Sequence, residues 1–559
     1  MRPVPSRIAA VVALTAMAAV GGACIFELRP PPDREVDPCA GIPAGQVCCA
    51  AGQTTPCYSG PAGTKGVGVC AAGTRACNPD GKAFGACTGE VTPTPEDCAT
   101  DADEDCDGQG CSGTPIWTHH YGDAADQVGH GVAIDSTGAA LITGPFAGTI
   151  AFDHELTSRG LHDVFLAKLG ADGKPIWSRQ LGGAADDQSG RGPAVAVDAD
   201  DAVIVGGSVS GPADLGGGTL DGDVDDAFVA KLSPDGTLVW GKRWGDASGQ
   251  LVECLAVDAD RNVVVSGGFG GTLDFGGEPL ASAGDEDLFI AKLDPDGNRV
   301  WSHRYGDAAV QRGKSVAIDR DGNVIVVGDF EGTIDFGGKT TPLTSESGVD
   351  IFLVKLDKDG SPIWARRFGQ SNIGMPTFPY QQRGTTVATD STGGIVLSGW
   401  YHGILDLGSG FLLKTTGQEG EADVFVASFD EAGETVWGRT FGNEFDLQVG
   451  WGVAVDARDQ VVVTGNVTGT VDFGEGIVHV GADPDPTAVD GFVLKLEKLG
   501  KPIWEQRIGG PDWQVGYGVA IAPTGSAVVI GRYHGDVTSL DPALPNAGGD
   551  DVFVVSLAP

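Results

Sequence analysis

The side chains best suited to chemistry in this chain are the ones its repeats do not share. Seven glutamines, Gln127, Gln188, Gln250, Gln311, Gln382, Gln448 and Gln514, each open a short segment of Val-Ala-x-Asp type. The positions just after them vary from copy to copy and supply His130, Arg191, Glu253, Arg312, Lys314, Arg383, Trp451 and Tyr517. Three arginines and a lysine beside Trp and Tyr suit an anionic or sugar-like ligand, with forked donors for oxyanions and flat apolar faces for a ring. A second constellation is Asp101, Asp103, Asp105 and Asp107, followed by Gly108. Carboxylates on alternate residues supply hard oxygens for calcium, and glycine makes the sharp turn. The bidentate Glu of a full calcium loop is missing, since the count from Asp103 reaches Thr114. A disulfide-tied acidic loop without an ion is the other reading. No serine nucleophile elbow, His-Glu-x-x-His or Cys-His arrangement appears. Glu253 is the one irregular acid in the variable set, whereas a glycan hydrolase needs two unique carboxylates.

The variable residues must be positioned by a repeat. One unit reads Asp287-Leu-Phe-Ile-Ala-Lys-Leu293, a Pro-Asp-Gly turn, then Arg299-Val-Trp301. It is an apolar strand, a tight turn and a second strand, the pattern of a β-hairpin. Its tryptophan recurs at Trp117, Trp177, Trp240, Trp301, Trp364, Trp437 and Trp504, at intervals of 60, 63, 61, 63, 73 and 67 residues. The leading aspartate recurs at Asp163, Asp226, Asp287, Asp350, Asp423, Asp490 and Asp551. Equivalent acids repeated seven times offer no unique catalytic site; they are expected to fix strand starts by accepting backbone N–H groups. Runs such as Val324-Ile-Val-Val327 are apolar at successive positions, so both faces of each sheet are covered. The fifth unit carries an extra loop, Ser371 to Tyr380, with Phe378 and Tyr380.

Counting strands gives the topology. The Trp117 strand precedes the first Val-Ala strand, and the last unit ends at Asp551–Leu557 with no tryptophan strand after it. The Trp117 strand is therefore expected to complete the C-terminal sheet. That closes an all-β ring of seven blades over residues 112–559 and leaves no free sheet edge. If the Val-Ala strand is innermost, the variable residues gather at one mouth of the central channel.

With Val-x-Val-x-Gly and Asp-x-Phe-Val-Ala-Lys-Leu repeated in this way, the chain resembles the seven-bladed β-propeller repeat of bacterial secreted proteins and lipoproteins. The resemblance covers about four-fifths of the chain and implies the fold, not an activity. The stretch Cys98 to Cys111 resembles a metal-binding motif of bacterial surface proteins with the core Asp-x-Asp-Cys-Asp-Gly. Gly21-Gly-Ala-Cys24 resembles a lipobox, with Gly21 where leucine is usual. It makes Cys24 the lipidated residue, although ordinary signal peptidase would cut the same bond.

The N-terminal organisation follows from composition. Residues 1–23 read as a signal peptide, with Arg2 and Arg7 before an apolar core too short to span a bilayer. Residues 24–38 read as a Pro-rich tether. Residues 39–111 hold ten of the twelve cysteines and form a small disulfide module, whose cross-links replace a core. Cys254 lies within an apolar strand and reads as a buried, inert thiol. Acidic residues outnumber basic ones 76 to 36, for a formal charge of −40, which disfavours nucleic acid and anionic lipid. The expectation is a monomeric, non-enzymatic lipoprotein of the outer membrane or cell surface, or a secreted protein. Its ligand is an unknown protein or a glycan, and only the lipid anchor touches membrane. A glycan-cleaving propeller enzyme and a calcium-stabilised spacer are the alternatives.

Overall fold

The computed structural model describes residues 49–50, 52–60, 65–66, 69–92, 113–185, 192–222, 225–346, 348–370, 381–416, 421–443, 448–481 and 488–559. The expected signal peptide, the tether with Cys24, the acidic run Asp101, Asp103, Asp105 and Asp107, Arg191, and the Ser371–Tyr380 loop lie outside the described residues. The chain divides into two compact units, one holding the cysteine-rich stretch and the other the repeats. In the first, strands Thr54–Cys57 and Gly73–Ala76 form a hairpin. It is braced by disulfides Cys49–Cys77 and Cys57–Cys87, and Cys70 is disulfide-bonded as well.

The second unit is a seven-bladed β-propeller, and every regular element among its described residues is a strand. Each blade has four antiparallel strands, in chain order in blades 1 to 6, as in Gln311–Ile318, Val324–Phe330, Asp350–Leu356 and Pro362–Phe368 of blade 4. The first strands of consecutive blades lie side by side all the way round, which makes them innermost. The middle strands are buried at every position of Val324–Phe330 and Asp350–Leu356, as continuous apolar runs covered on both faces should be. The segment after the second strand, of the Gly332–Gly337 type, forms a small hairpin of its own in six blades.

Closure occurs as the strand count requires. Pro115–Tyr121 pairs antiparallel with Asp551–Leu557, with Trp117 opposite Ser556 and His120 opposite Phe553. The Trp117 indole makes the contact that the tryptophans of blades 1 to 5 make. The indole N–H of Trp117, Trp177, Trp240, Trp301, Trp364 and Trp437 donates to a carbonyl in the third hairpin turn of the next blade. The turn glycines beneath these rings, Gly173, Gly236, Gly297, Gly360, Gly433 and Gly500, have φ between +76° and +86°. A Cβ at any of them would lie only 2.7 to 3.1 Å from the indole. Blade 7 has no such turn, because the two ends of the ring meet there. Gly113, with φ of +63°, packs on Trp504 instead, and the Ala558 N–H donates to the Thr114 carbonyl at 2.9 Å.

Buried charges within the blades repeat too. The aspartate ending each first strand meets the lysine of the third, in Asp135–Lys168, Asp198–Lys231, Asp258–Lys292, Asp319–Lys355 and Asp456–Lys495, at 2.7 to 3.2 Å. In blade 7 both partners are gone together, leaving Ala522 and Ser556. The leading aspartates start their strands as expected: Asp287 accepts the Ala283 N–H at 2.7 Å, and Asp551 that of Ala547 at 2.6 Å. Several also meet an arginine on the fourth strand, as Asp226 does Arg243 and Asp490 does Arg507. The glutamines tie blade to blade: the Gln311 N–H donates to the Glu286 carbonyl of blade 3, and its amide to Asp307 and the Glu331 carbonyl.

Candidate functional site: the channel mouth

Two features of the repeat aim side chains into the channel. The first strand of blades 3 to 7 carries a β-bulge, and the bulged residues are Glu253, Lys314, Thr385, Trp451 and Tyr517. A bulge inserts one unpaired residue and redirects its side chain. Opposite each bulge stands a second-strand glycine. At Gly328 a Cβ would lie 1.9 Å from the Arg312 carbonyl oxygen, and at Gly399 2.0 Å from that of Arg383, so only glycine allows the two strands this approach. The residue after that glycine is Pro145, Ser208, Gly268, Asp329, Trp400, Asn466 or Arg532 around the ring, and four of the seven, Pro145, Asp329, Trp400 and Arg532, face the mouth.

The five bulged residues, with Pro145, Asp329, Trp400 and Arg532, wall a recess of about 760 Å³ at one mouth of the channel. It contains His130, Glu253, Lys314, Arg383, Trp451 and Tyr517 of the set expected from the sequence. Arg312 does not line it but is held by Glu286, and Arg191 lies outside the described residues. The recess adds Asp126, His162, Asp329, Trp400 and Arg532, which the sequence reading did not single out. The signal that finds three of them is the one already applied to the first strand: seven different residue types at one repeat position, here the one following the second-strand glycine.

The recess has two unlike sides. Across blades 6, 7 and 1 runs an aromatic shelf. Tyr517 stacks on His130, with centroids 5.1 Å apart and planes 16° from parallel, and tilts against Trp451 at 5.5 Å. Trp451 is fixed by donating its indole N–H to Asn466 Oδ1 at 2.9 Å. Burial pushes the Tyr517 phenol above its ordinary pKa, so the ring stays neutral at physiological pH. The Arg532 guanidinium lies 4.1 Å from the centroid of Trp513 and is held by Asp550 at 2.9 Å.

Across blades 3 to 5 runs a network of ion pairs. Lys314 Nζ donates to both Glu253 oxygens, at 2.9 and 3.1 Å, and lies 3.7 Å from Asp329. Arg383 donates to Asp329 Oδ2 at 2.6 Å and stands over Trp400 at 5.8 Å. The convergence of cations anticipated from the sequence is thus matched by Glu253, Glu286, Asp329 and Asp550. A recess with paired charges on one side and stacked rings on the other can take a flat or ring-shaped ligand edge-on to polar groups.

Fold and recess define the protein as a β-propeller with a lined channel mouth. No family model matches the chain. Over 211 residues it is 26% identical to an uncharacterized WD repeat-containing protein of Acanthamoeba polyphaga mimivirus, an alignment covering 32% of this chain and 14% of that protein. The chain therefore spans about a seventh of that relative's length. Among solved structures it is similar to Sqt1 from Chaetomium thermophilum, at 10% identity and a TM-score of 0.37, over 78% of this chain and 100% of that one. It is also similar to a protein of unknown function from Dyadobacter fermentans, at 10% identity and 0.36, over 79% and 98%. YCF48 bound to D1 peptide matches at 6% identity and 0.35, over 80% and 98%.

Proposed function

We propose that this propeller is a non-enzymatic binding scaffold whose ligand face is the channel mouth. The observation that carries the reading is the pairing of a fixed aromatic shelf, His130, Tyr517 and Trp451, with an ion-pair network inside one recess. Since each mouth cation among the described residues already has a carboxylate, a neutral ring-bearing ligand such as a sugar, or an aromatic side chain of a partner protein, fits better than a polyanion. Stacked rings are the principal attraction, and the bonded Lys314, Arg383 and Glu253 orient polar groups at the rim of the ligand. Glu253 is engaged by Lys314, which suits a positioning group rather than a hydrolytic carboxylate. On the sequence, the reading extends to a lipid-anchored envelope protein acylated at Cys24 and held off the membrane by the Pro-rich tether. Radiolabelled palmitate incorporation lost in Cys24→Ser tests that part. Glycan-array and peptide-library binding by the wild-type propeller, set against Trp451→Ala and Tyr517→Ala, tests the site. Ligands retained equally by all three proteins overturn it, and a hydrolysis screen on the same ligands separates binding from turnover.

A further inference from the structure

Blade 5 breaks the buried Asp–Lys pattern in only one partner. Asp390 is kept at the end of its first strand, but the third strand has Ser428 where blades 1 to 4 and 6 have lysine. The position four after the aspartate is reduced as well. It is Ala139, Ala202, Asn262, Asn323 or Gln460 in those blades and Gly394 here. No left-handed backbone requires Gly394, yet a Cβ there would lie 2.5 Å from Asp390 Oδ2. The two reductions open a cavity of about 250 Å³ bordered by Ser428, Gly394 and Asp390, with Val396, Phe429 and Val461 as apolar wall.

Inside it Asp390 Oδ1 keeps the bonds of its sisters, while Oδ2 has turned toward the space that their Cβ four residues on occupies. Asp390 Oδ1 accepts the Thr392 and Gly394 N–H groups at 2.8 and 2.7 Å, as Asp135 Oδ1 accepts those of Thr137 and Ala139. In the sister blades Oδ2 takes the lysine ammonium at 2.7 to 3.2 Å. At Asp390 the nearest cation among the described residues is Lys498, 3.9 Å away and bonded to Asp459 at 2.7 Å. Asp430, Glu431 and Asp459 also border the cavity, so its charge is acidic even with Lys498 counted. We infer that this cavity is a binding site for a primary ammonium on an aliphatic stem, seated on Asp390 where a lysine of the chain sits in the other blades. The ligand is either a free alkyl amine or diamine, or a lysine side chain of another protein. The lysines of blades 1 to 4 and 6 are the internal precedent for both the stem's path and the ammonium's seat.

The full propeller is titrated with n-butylamine, cadaverine, N-acetyl-lysine amide and, as a shape control, tetramethylammonium, followed by calorimetry and thermal shift. The expected result is saturable binding of the primary amines with a Kd on the order of a millimolar and weakening by salt, and none of tetramethylammonium. Ser428→Lys supplies the missing side chain, and Asp390→Asn removes the charge while keeping the Oδ1 bonds. Each is expected to lower amine affinity by about tenfold or more, and Ser428→Lys to raise the melting temperature. Cadaverine binding more tightly than the blocked lysine points to the free amine as ligand, and the reverse to a protein lysine. Absence of amine binding to the wild type, equal binding to all three proteins, or a Ser428→Lys variant that melts earlier overturns the inference.

Discussion

Breaking one buried pair in blade 4 should cost far more than the intact pair contributes net. Lys355 Nζ sits 2.8 Å from Asp319 Oδ2, with the two side chains 2% and 1% exposed. At an effective dielectric of about 20, charges that close attract by about 6 kcal/mol, most of which offsets the cost of removing both from water. Lys355→Met removes the attraction but leaves the Asp319 carboxylate buried, so stability should fall by about 3–5 kcal/mol. Asp319→Asn keeps the bonds that Oδ1 accepts from the Asp321 and Asn323 N–H groups, and strands the ammonium instead. The double variant removes both charges, as blade 7 does with Ala522 and Ser556, and should recover more than half of the loss. Urea midpoints of the four proteins form a double-mutant cycle, with an expected coupling of about 2 kcal/mol or more. Burial disfavours the Asp319 charge, but Lys355 and Asn323 outweigh it and hold its pKa below the ordinary value. Its contribution is therefore complete above the unfolded carboxylate pKa, near 4, and is lost as pH falls through the lower folded value. Strictly additive single variants, or a gap between wild type and Lys355→Met that does not narrow in acid, would refute this account.

Other outcomes follow from the same architecture. Burial, with the Asp123 charge nearby, lifts the Asp551 pKa to about 6. A raised carboxyl favours the fold while protonated, and that advantage fades as pH rises through about 6, so Asp551→Asn should gain about 1–2 kcal/mol over wild type at pH 8 and nothing near pH 4, read from denaturant midpoints. Cys254 is buried, and its thiol pKa is pushed well up by desolvation and the Glu253 charge; it should react with a thiol reagent only once denaturant opens the fold. Trp504→Ala removes the indole on which Gly113 rests and should lower stability by about 3 kcal/mol or more, with limited proteolysis showing first cleavage near residues 113–121.

The ring was legible in the sequence because its determinants are local and repeated. Asp-Gly turns, apolar runs and a tryptophan strand displaced to the front of the repeats specify seven sheets and the way they close. At the mouth, variation after each glutamine marked His130, Glu253, Lys314, Trp451 and Tyr517, since it is visible without coordinates. The partners of those residues were not visible. Lys314 meets Glu253 from the preceding blade, and Arg383 meets Asp329 likewise, so cations that look free along the chain are paired across blades. Trp400 and Arg532 escaped notice because they follow a glycine inside what reads as a plain core strand. The Asp–Lys pairs escaped because each joins two signatures 33 to 39 residues apart.

Sealing blade 7 with strands from opposite ends of the ring has a consequence for biogenesis. While the ribosome is still adding the sixth repeat, Pro115–Tyr121 has nothing to zip onto, and Trp504 has no lid until Gly113 arrives over it. Every earlier sheet can form on the nascent chain, but the circle shuts only after Asp551–Leu557 has been made. Until then the growing polypeptide carries two sticky margins that two copies could exchange with each other.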